Sequence, residues 1–186
     1  FTGNYKAESF HQLQFMRNNK LKAAISLRLQ SEDRTPDYIF KRWYSNHYIW
    51  DNKFNDVQTN QAELGLLYDF VTVTGVYKMI NNYLYFDRIS YPAQFNGTIS
   101  NSSIKLGIDK VFFKHLGIAA AQTWQNSSSA AVVLPKSVSI ASLFYRGNLF
   151  KNNLQLCIGA QVEYYDEFVP YAYMPATQQF YIQDQY

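Results

Sequence analysis

The chain has 186 residues, room for one domain spanning 1–186, and carries a net charge of +3 with 17% charged and 18% aromatic residues. No run approaches the ~18–20 apolar residues of a membrane helix, no basic run points to nucleic acid, and the single Cys excludes a disulfide framework within the chain. Low charge, abundant tyrosine and a mean hydropathy of −0.30 leave two classes: a transmembrane β-barrel, whose alternating residues average out, and a soluble β-sandwich or lipocalin-like barrel. The sequence shows no signal peptide and no initiator Met and opens inside a strand pattern. It therefore reads as a mature product or as part of a longer protein.

Period-two alternation predicts strands almost throughout, because successive side chains of a strand point to opposite faces. The first covers 4–16, with Tyr5, Ala7, Leu13 and Phe15 on one face and Lys6, Glu8, Gln12 and Gln14 on the other. After a turn at 17–20 the second covers 21–30, with Leu21, Ala23, Ile25, Leu27 and Leu29 opposed to Lys22, Ala24, Ser26, Arg28 and Gln30. The polar run 31–37 reads as a loop. A third strand is predicted over 38–50, aromatic on both faces. A fourth covers 58–68, and the apolar phase flips at Asp69-Phe70, which predicts a tight turn. A fifth strand follows from Val71 to Met79.

A turn at 81–82, a sixth strand over 83–88 and a loop over 89–102 come next. Strands over 103–109 and 114–124 follow, then a Ser-rich loop at 125–136. The strand over 137–146 carries Val138, Ile140 and Phe144 on one face. The cleanest alternation is 154–165, where Leu154, Leu156, Ile158, Ala160, Val162 and Tyr164 oppose Gln155, Cys157, Gly159, Gln161, Glu163 and Tyr165. A loop over 166–176 leads to a last candidate strand at 178–185. This makes 10–11 strands and no helix.

Short connections (17–20, 51–57, 81–82, 110–113, 147–153) alternate with mostly longer ones (31–37, 89–102, 125–136, 166–176). The tight link at 69–70 is the exception. An up-and-down meander whose two ends differ in loop length is the pattern of outer-membrane barrels. A Greek-key sandwich has no reason to keep it. The expected fold is therefore an all-β, antiparallel up-and-down transmembrane β-barrel.

On that reading the apolar faces meet lipid, and aromatic residues near strand ends are candidates for interfacial girdles: Tyr5, Phe15, Tyr68, Tyr77, Trp124, Phe144 and Tyr164. The opposite faces line an interior, with Lys22, Arg28, Glu63, Lys78, Lys105, Asp109, Gln161 and Glu163 as lumen-facing candidates. Opposed charges across a wet lumen set ion preference; the same charges could instead form ion networks that fill a closed barrel. Small inward residues such as Gly65, Gly107, Gly117, Ala119 and Gly159 leave room for a passage or a plug.

No catalytic, cofactor or metal constellation emerges. His11, His47 and His115 lie apart without ligand spacing. Ser9 and His11 share one face of a strand, a spacing common by chance, and no enzyme activity is expected.

Near the C-terminus, Tyr173, Pro175, Thr177, Phe180, Tyr181 and Gln183 form a segment that resembles Tyr-x-Pro-x-Thr-x-x-Phe-Tyr-x-Gln of the "putative porin" family of Bacteroidota outer membranes. The aromatic run Asn46-His47-Tyr48-Ile49-Trp50 is similar in style. The resemblance implies a bacterial outer-membrane β-barrel with a pore function and no catalytic residues. It also implies that this chain is part of a larger barrel. The expected function is a passive channel for ions or small polar solutes. The alternatives are a non-conducting barrel subunit of an envelope complex, or a soluble ligand-binding barrel. The expected partners are the lipid bilayer and other envelope proteins, with no nucleic acid and no cofactor.

Overall fold

The computed structural model describes residues 3–112, 115–151 and 153–184. Eight long strands form one antiparallel sheet in strict chain order. They are β1 (Tyr5–Arg17), β2 (Lys20–Arg34), β5 (Val57–Tyr68), β6 (Val71–Asn81), β9 (Thr98–Phe112), β10 (Leu116–Ser127), β11 (Ser137–Leu149) and β12 (Leu154–Tyr165). Two hairpins lie in the connections, β3 (Arg42–Tyr44) with β4 (Ile49–Asp51) and β7 (Leu84–Phe86) with β8 (Pro92–Gln94), and a third, β13 (Ala172–Met174) with β14 (Gln179–Tyr181), follows β12. The outermost strands β1 and β12 are not paired with each other.

Two expectations are corrected here. Residues 38–50 do not form a spanning strand: they make a one-turn helix, α1 (Tyr38–Lys41), and the β3–β4 hairpin. Residues 83–88 hold only the three-residue β7. Both stretches are aromatic on both faces, so neither offers an apolar side and a polar side to a sheet. With them removed, the loop rule has no exception. The connections 18–19, 69–70 and 150–153 are short, as is the link that follows β9. Those at 35–56, 82–97 and 128–136 are long, and all lie at the opposite end. The tight turn expected at Asp69-Phe70 is present, with Tyr68 paired to Val71. Its Asp69 and the Asn18-Asn19 turn adopt left-handed φ values of 56°, 50° and 56°, a region that Asn and Asp tolerate better than most residues. The last candidate strand shrinks to β14, and Lys114 lies outside the described residues, as does residue 185.

Register assigns every strand residue to a face. One face gathers Leu13, Ile25, Leu66, Val73, Leu106, Ala120, Ala141 and Val162 with their i±2 neighbours. On β2 this apolar band runs from Leu21 to Leu29, roughly 27 Å of strand at 3.3–3.4 Å per residue. Tilted by about 40°, it spans about 20 Å, close to the ~25 Å apolar belt of membrane barrels. Towards the long loops the same face turns polar, with Ser31, Asn60, Ser102 and Asn126.

On β2 and β5 the exposure is inverted relative to a water-soluble sheet. On β2, Ile25 and Leu29 are 41% and 45% exposed, whereas Ser26, Arg28 and Gln30 on the other face are half-buried. Val162 reaches 70%. The buried apolar side chains do not lie beneath this band. Apart from Ala24 they cluster at the long-loop end: Trp50, Val57, Ile80, Phe86, Ile99 and Ala131.

Phe144 corrects a further expectation. It pairs with Gly117 and Gly159 and therefore lies on the polar face. The glycines leave the space for its ring: a Cβ on Gly117 would come within 2.3 Å of it. A Cβ on Gly159 would meet the Leu143 carbonyl oxygen at 2.7 Å and the Phe144 Cα at 3.1 Å. Backbone cannot move aside as a side-chain tip can. Gly159→Ala is therefore expected to destabilise the β11–β12 pairing by about 1–3 kcal/mol, read as a lower denaturant midpoint at unchanged m. Wild-type stability in that variant would contradict the packing.

Candidate functional site

The polar face and the loops that fold over one end of it form the candidate site. The faces are charged on one half of the sheet and nearly neutral on the other. Arg28 lies near the centre of the charged half. Its Nε is 3.3 Å from Glu8 Oε1 on β1, its guanidinium lies 5.4 Å from the Phe10 ring, and Glu63 is its cross-strand partner on β5. Lys78 shares this face beside Gln61 and Asn101. Lys105 and Asp109, four residues apart on β9, line a hollow of about 580 Å³ floored by Gly107, Ala119 and Ala121. On β12, Gln161 donates to Glu163 at 2.6 Å and accepts from the Ser142 hydroxyl at 3.1 Å.

Lys22 departs from the expected lumen set. The β1–β2 register shifts between Phe15 and Met16, which pair with Ala23 and Leu21, and Lys22 is the extra residue between those two, near the end of the sheet. Its ammonium pairs with Asp69 of the turn at 3.2 Å and lies 5.0 Å from the Tyr68 ring. Tyr68 belongs to the apolar face, so Lys22 sits at the rim, where a long cationic side chain reaches from apolar surface to water. Lys110 does the same over Phe70, at 3.9 Å.

Of the girdle candidates, Tyr5, Phe15, Tyr68, Tyr77, Trp124 and Tyr164 share the apolar face. Phe15 and Tyr68 lie towards the short turns, the other four towards the long loops. On β11 the aromatic residue of that face is Tyr145, paired with Leu116 and Ile158.

The long loops are interlocked rather than loose. Trp50 stacks among Trp43, Tyr48, Phe86 and Tyr91, with centroids 5.8–6.2 Å apart, and its indole N–H donates to the Ile39 carbonyl at 2.8 Å. Phe40 packs on Phe86 at 4.9 Å. The Gln94 side chain bridges Asn55 and Asn82, and the Ile182 amide donates to the Phe86 carbonyl. This cap covers the top of the polar face. Val57, Ile80 and Ile99 belong to that face by register and are 9%, 6% and 0% exposed.

Burial pushes the Tyr83 hydroxyl above its ordinary range, helped by the neighbouring Tyr171. Tyr171 in turn ties the 128–136 loop, accepting from the Val133 amide and donating to the Ala131 carbonyl. A raised tyrosine favours the folded state fully below the unfolded value near ~10 and loses that contribution as pH climbs above it. Protease cleavage in the long loops is therefore expected to rise above about pH 10. Tyr83→Phe should blunt that rise, and an unchanged alkaline profile would contradict the role of Tyr83.

Sequence reasoning missed Glu32 and Arg34, which it assigned to a loop. Both are on β2, and both line a cavity of about 210 Å³ under the cap. No alternation marks them, because the residues between them are polar as well. Ser9 Oγ and His11 Nε2 are 2.8 Å apart on the apolar face, but their cross-strand partners are Leu29 and Leu27, which cannot orient an imidazole. Among the described residues no group of three or more His, Cys, Asp or Glu could hold a metal ion.

No curated protein and no solved structure matches the chain. The sequence profile of one family matches residues 1–186. That family is described as "Putative porin", and its match over the full length agrees with the antiparallel meander, the inverted faces and the two-ended loop pattern: the chain belongs to it.

Proposed function

We propose that this protein forms wall of an outer-membrane β-barrel and acts as a passive channel for ions and small polar solutes, without enzymatic chemistry. The inverted exposure of the two faces carries this reading. Leu66 and Leu143 stand 43% and 51% exposed on a face with no second layer of protein among the described residues, while Arg28, Glu63 and Lys78 are the less accessible residues on the other. A lipid solvent outside and water inside account for both. The test is reconstitution of the full chain in planar bilayers in KCl. Stepwise, ohmic conductance is expected; silence from protein whose folded band shifts on boiling would overturn the channel.

The unpaired edges favour a second, compatible reading. Each free N–H or C=O at an edge in hydrocarbon costs several kcal/mol. The outer edges of β1 and β12 are therefore expected to pair with further strands, from a longer polypeptide or from an envelope partner. Crosslinking through cysteines placed on β1 and β12 would reveal such neighbours. Capture of the two edges by each other alone would show an eight-stranded closure instead.

A further inference from the structure

The cavity beneath the cap holds charges that the fold itself does not use. Glu32 and Arg34 on β2 and Lys78 on β6 line it from the polar face, while Phe40 and Tyr83 close it from the loops. Among the described residues none of these three charges belongs to an ion pair. Elsewhere on the same face Arg28 has Glu8 at 3.3 Å, so pairing is available where the fold needs it. Glu32 and Lys78 are half-buried and Arg34 is exposed; Glu32 accepts one hydrogen bond, from the Gln30 amide at 3.4 Å, and no ion pair neutralises any of the three. Leaving a half-buried charge without a counter-charge costs stability unless a ligand or water completes it.

We infer that this cavity is a recognition site for a small zwitterionic solute of free amino-acid size with an apolar side chain. The charge pattern matches that ligand. Arg34 and Lys78 offer two cations to one carboxylate, and Arg can hold a carboxylate with two parallel N–H donors. Glu32 supplies the counter-charge for an α-ammonium group. Phe40 and Tyr83 supply an apolar wall. A volume near 210 Å³ is below the ~300–1,000 Å³ of drug-sized pockets, which limits the occupant to a small molecule. The interlocked cap means the site is preformed, so little ordering is needed on binding. The inference deepens the channel reading: the site would lie where solute enters from the long-loop end.

Binding is measured by calorimetric titration of the full chain in detergent, with KCl conductance recorded in parallel. The probes are L-leucine, its methyl ester, isopentylamine and 4-methylpentanoate. Saturable L-leucine binding, at least tenfold weaker for the ester and the amine, supports the site. So does a loss of at least tenfold in Arg34→Gln and Lys78→Gln, with Glu32→Gln instead equalising L-leucine and 4-methylpentanoate. Absence of saturable L-leucine binding by a chain that conducts KCl overturns the site and leaves the channel standing. Binding without conductance overturns the channel and leaves the site. Equal affinity for leucine, ester and amine on the wild-type chain also overturns the site, and needs no variant to fold.

Discussion

Leu66→Arg is expected to cost about 2–4 kcal/mol when the protein folds into a bilayer. Leu66 lies on the apolar face of β5, flanked by Ile25 and Val73, and stands 43% exposed. Lipid would have to receive the guanidinium there. The matched control is Gln161→Arg, on the polar face of β12 beside Glu163, expected within about 0.5 kcal/mol of wild type. Urea titration in lipid vesicles, read by the mobility shift on boiling, checks both. The sign separates the membrane reading from the soluble one. In water an exposed Leu66 would gain nothing from lipid, and its replacement by Arg would be neutral.

The second large effect concerns the cap. Trp50 is 6% exposed and touches four aromatic rings as well as the Ile39 carbonyl. Trp50→Ala removes that centre and leaves a cavity, a change that costs about 3–5 kcal/mol in a packed core. The cost falls on the loops, because Trp50 belongs to the β3–β4 hairpin and not to the eight-stranded sheet. The expected result is rapid proteolysis within 35–56 and 82–97 while the strands stay protected and the boiling shift is kept. Loss of the whole barrel together with the cap would show that the two are one cooperative unit.

The sheet was legible wherever one face of a strand is apolar and the other polar. β2, β5 and β12 alternate over the length of the apolar band, and their faces follow from the residues alone. β11 does not alternate in this way. Val138, Ile140 and Phe144 on one face compete with Ala141, Leu143 and Tyr145 on the other, and only pairing with Gly117 and Gly159 decides between them. The aromatic stretches 38–50 and 83–88 have strand-like composition, yet they pack as loops because their rings bury one another. Glu32 and Arg34 were hidden for a different reason. Beyond the apolar band polar residues occur on both faces of the strand, and the period disappears. The cavity they line depends on contacts between β2, β6 and two distant loops, which no local pattern records.

The proposed channel requires alternate residues of each long strand to face lipid and an aqueous interior. Spin labels placed singly along 21–30 of β2 test it most directly, in a Cys157→Ser background that removes the only native thiol. In reconstituted vesicles, positions 21, 23, 25, 27 and 29 are expected to collide with membrane-dissolved oxygen. Positions 22, 26, 28 and 30 are expected to collide with a water-soluble nickel chelate, giving a period of two outside the buried Ala24. Uniform accessibility to the chelate, or the two sets exchanged, would contradict the account.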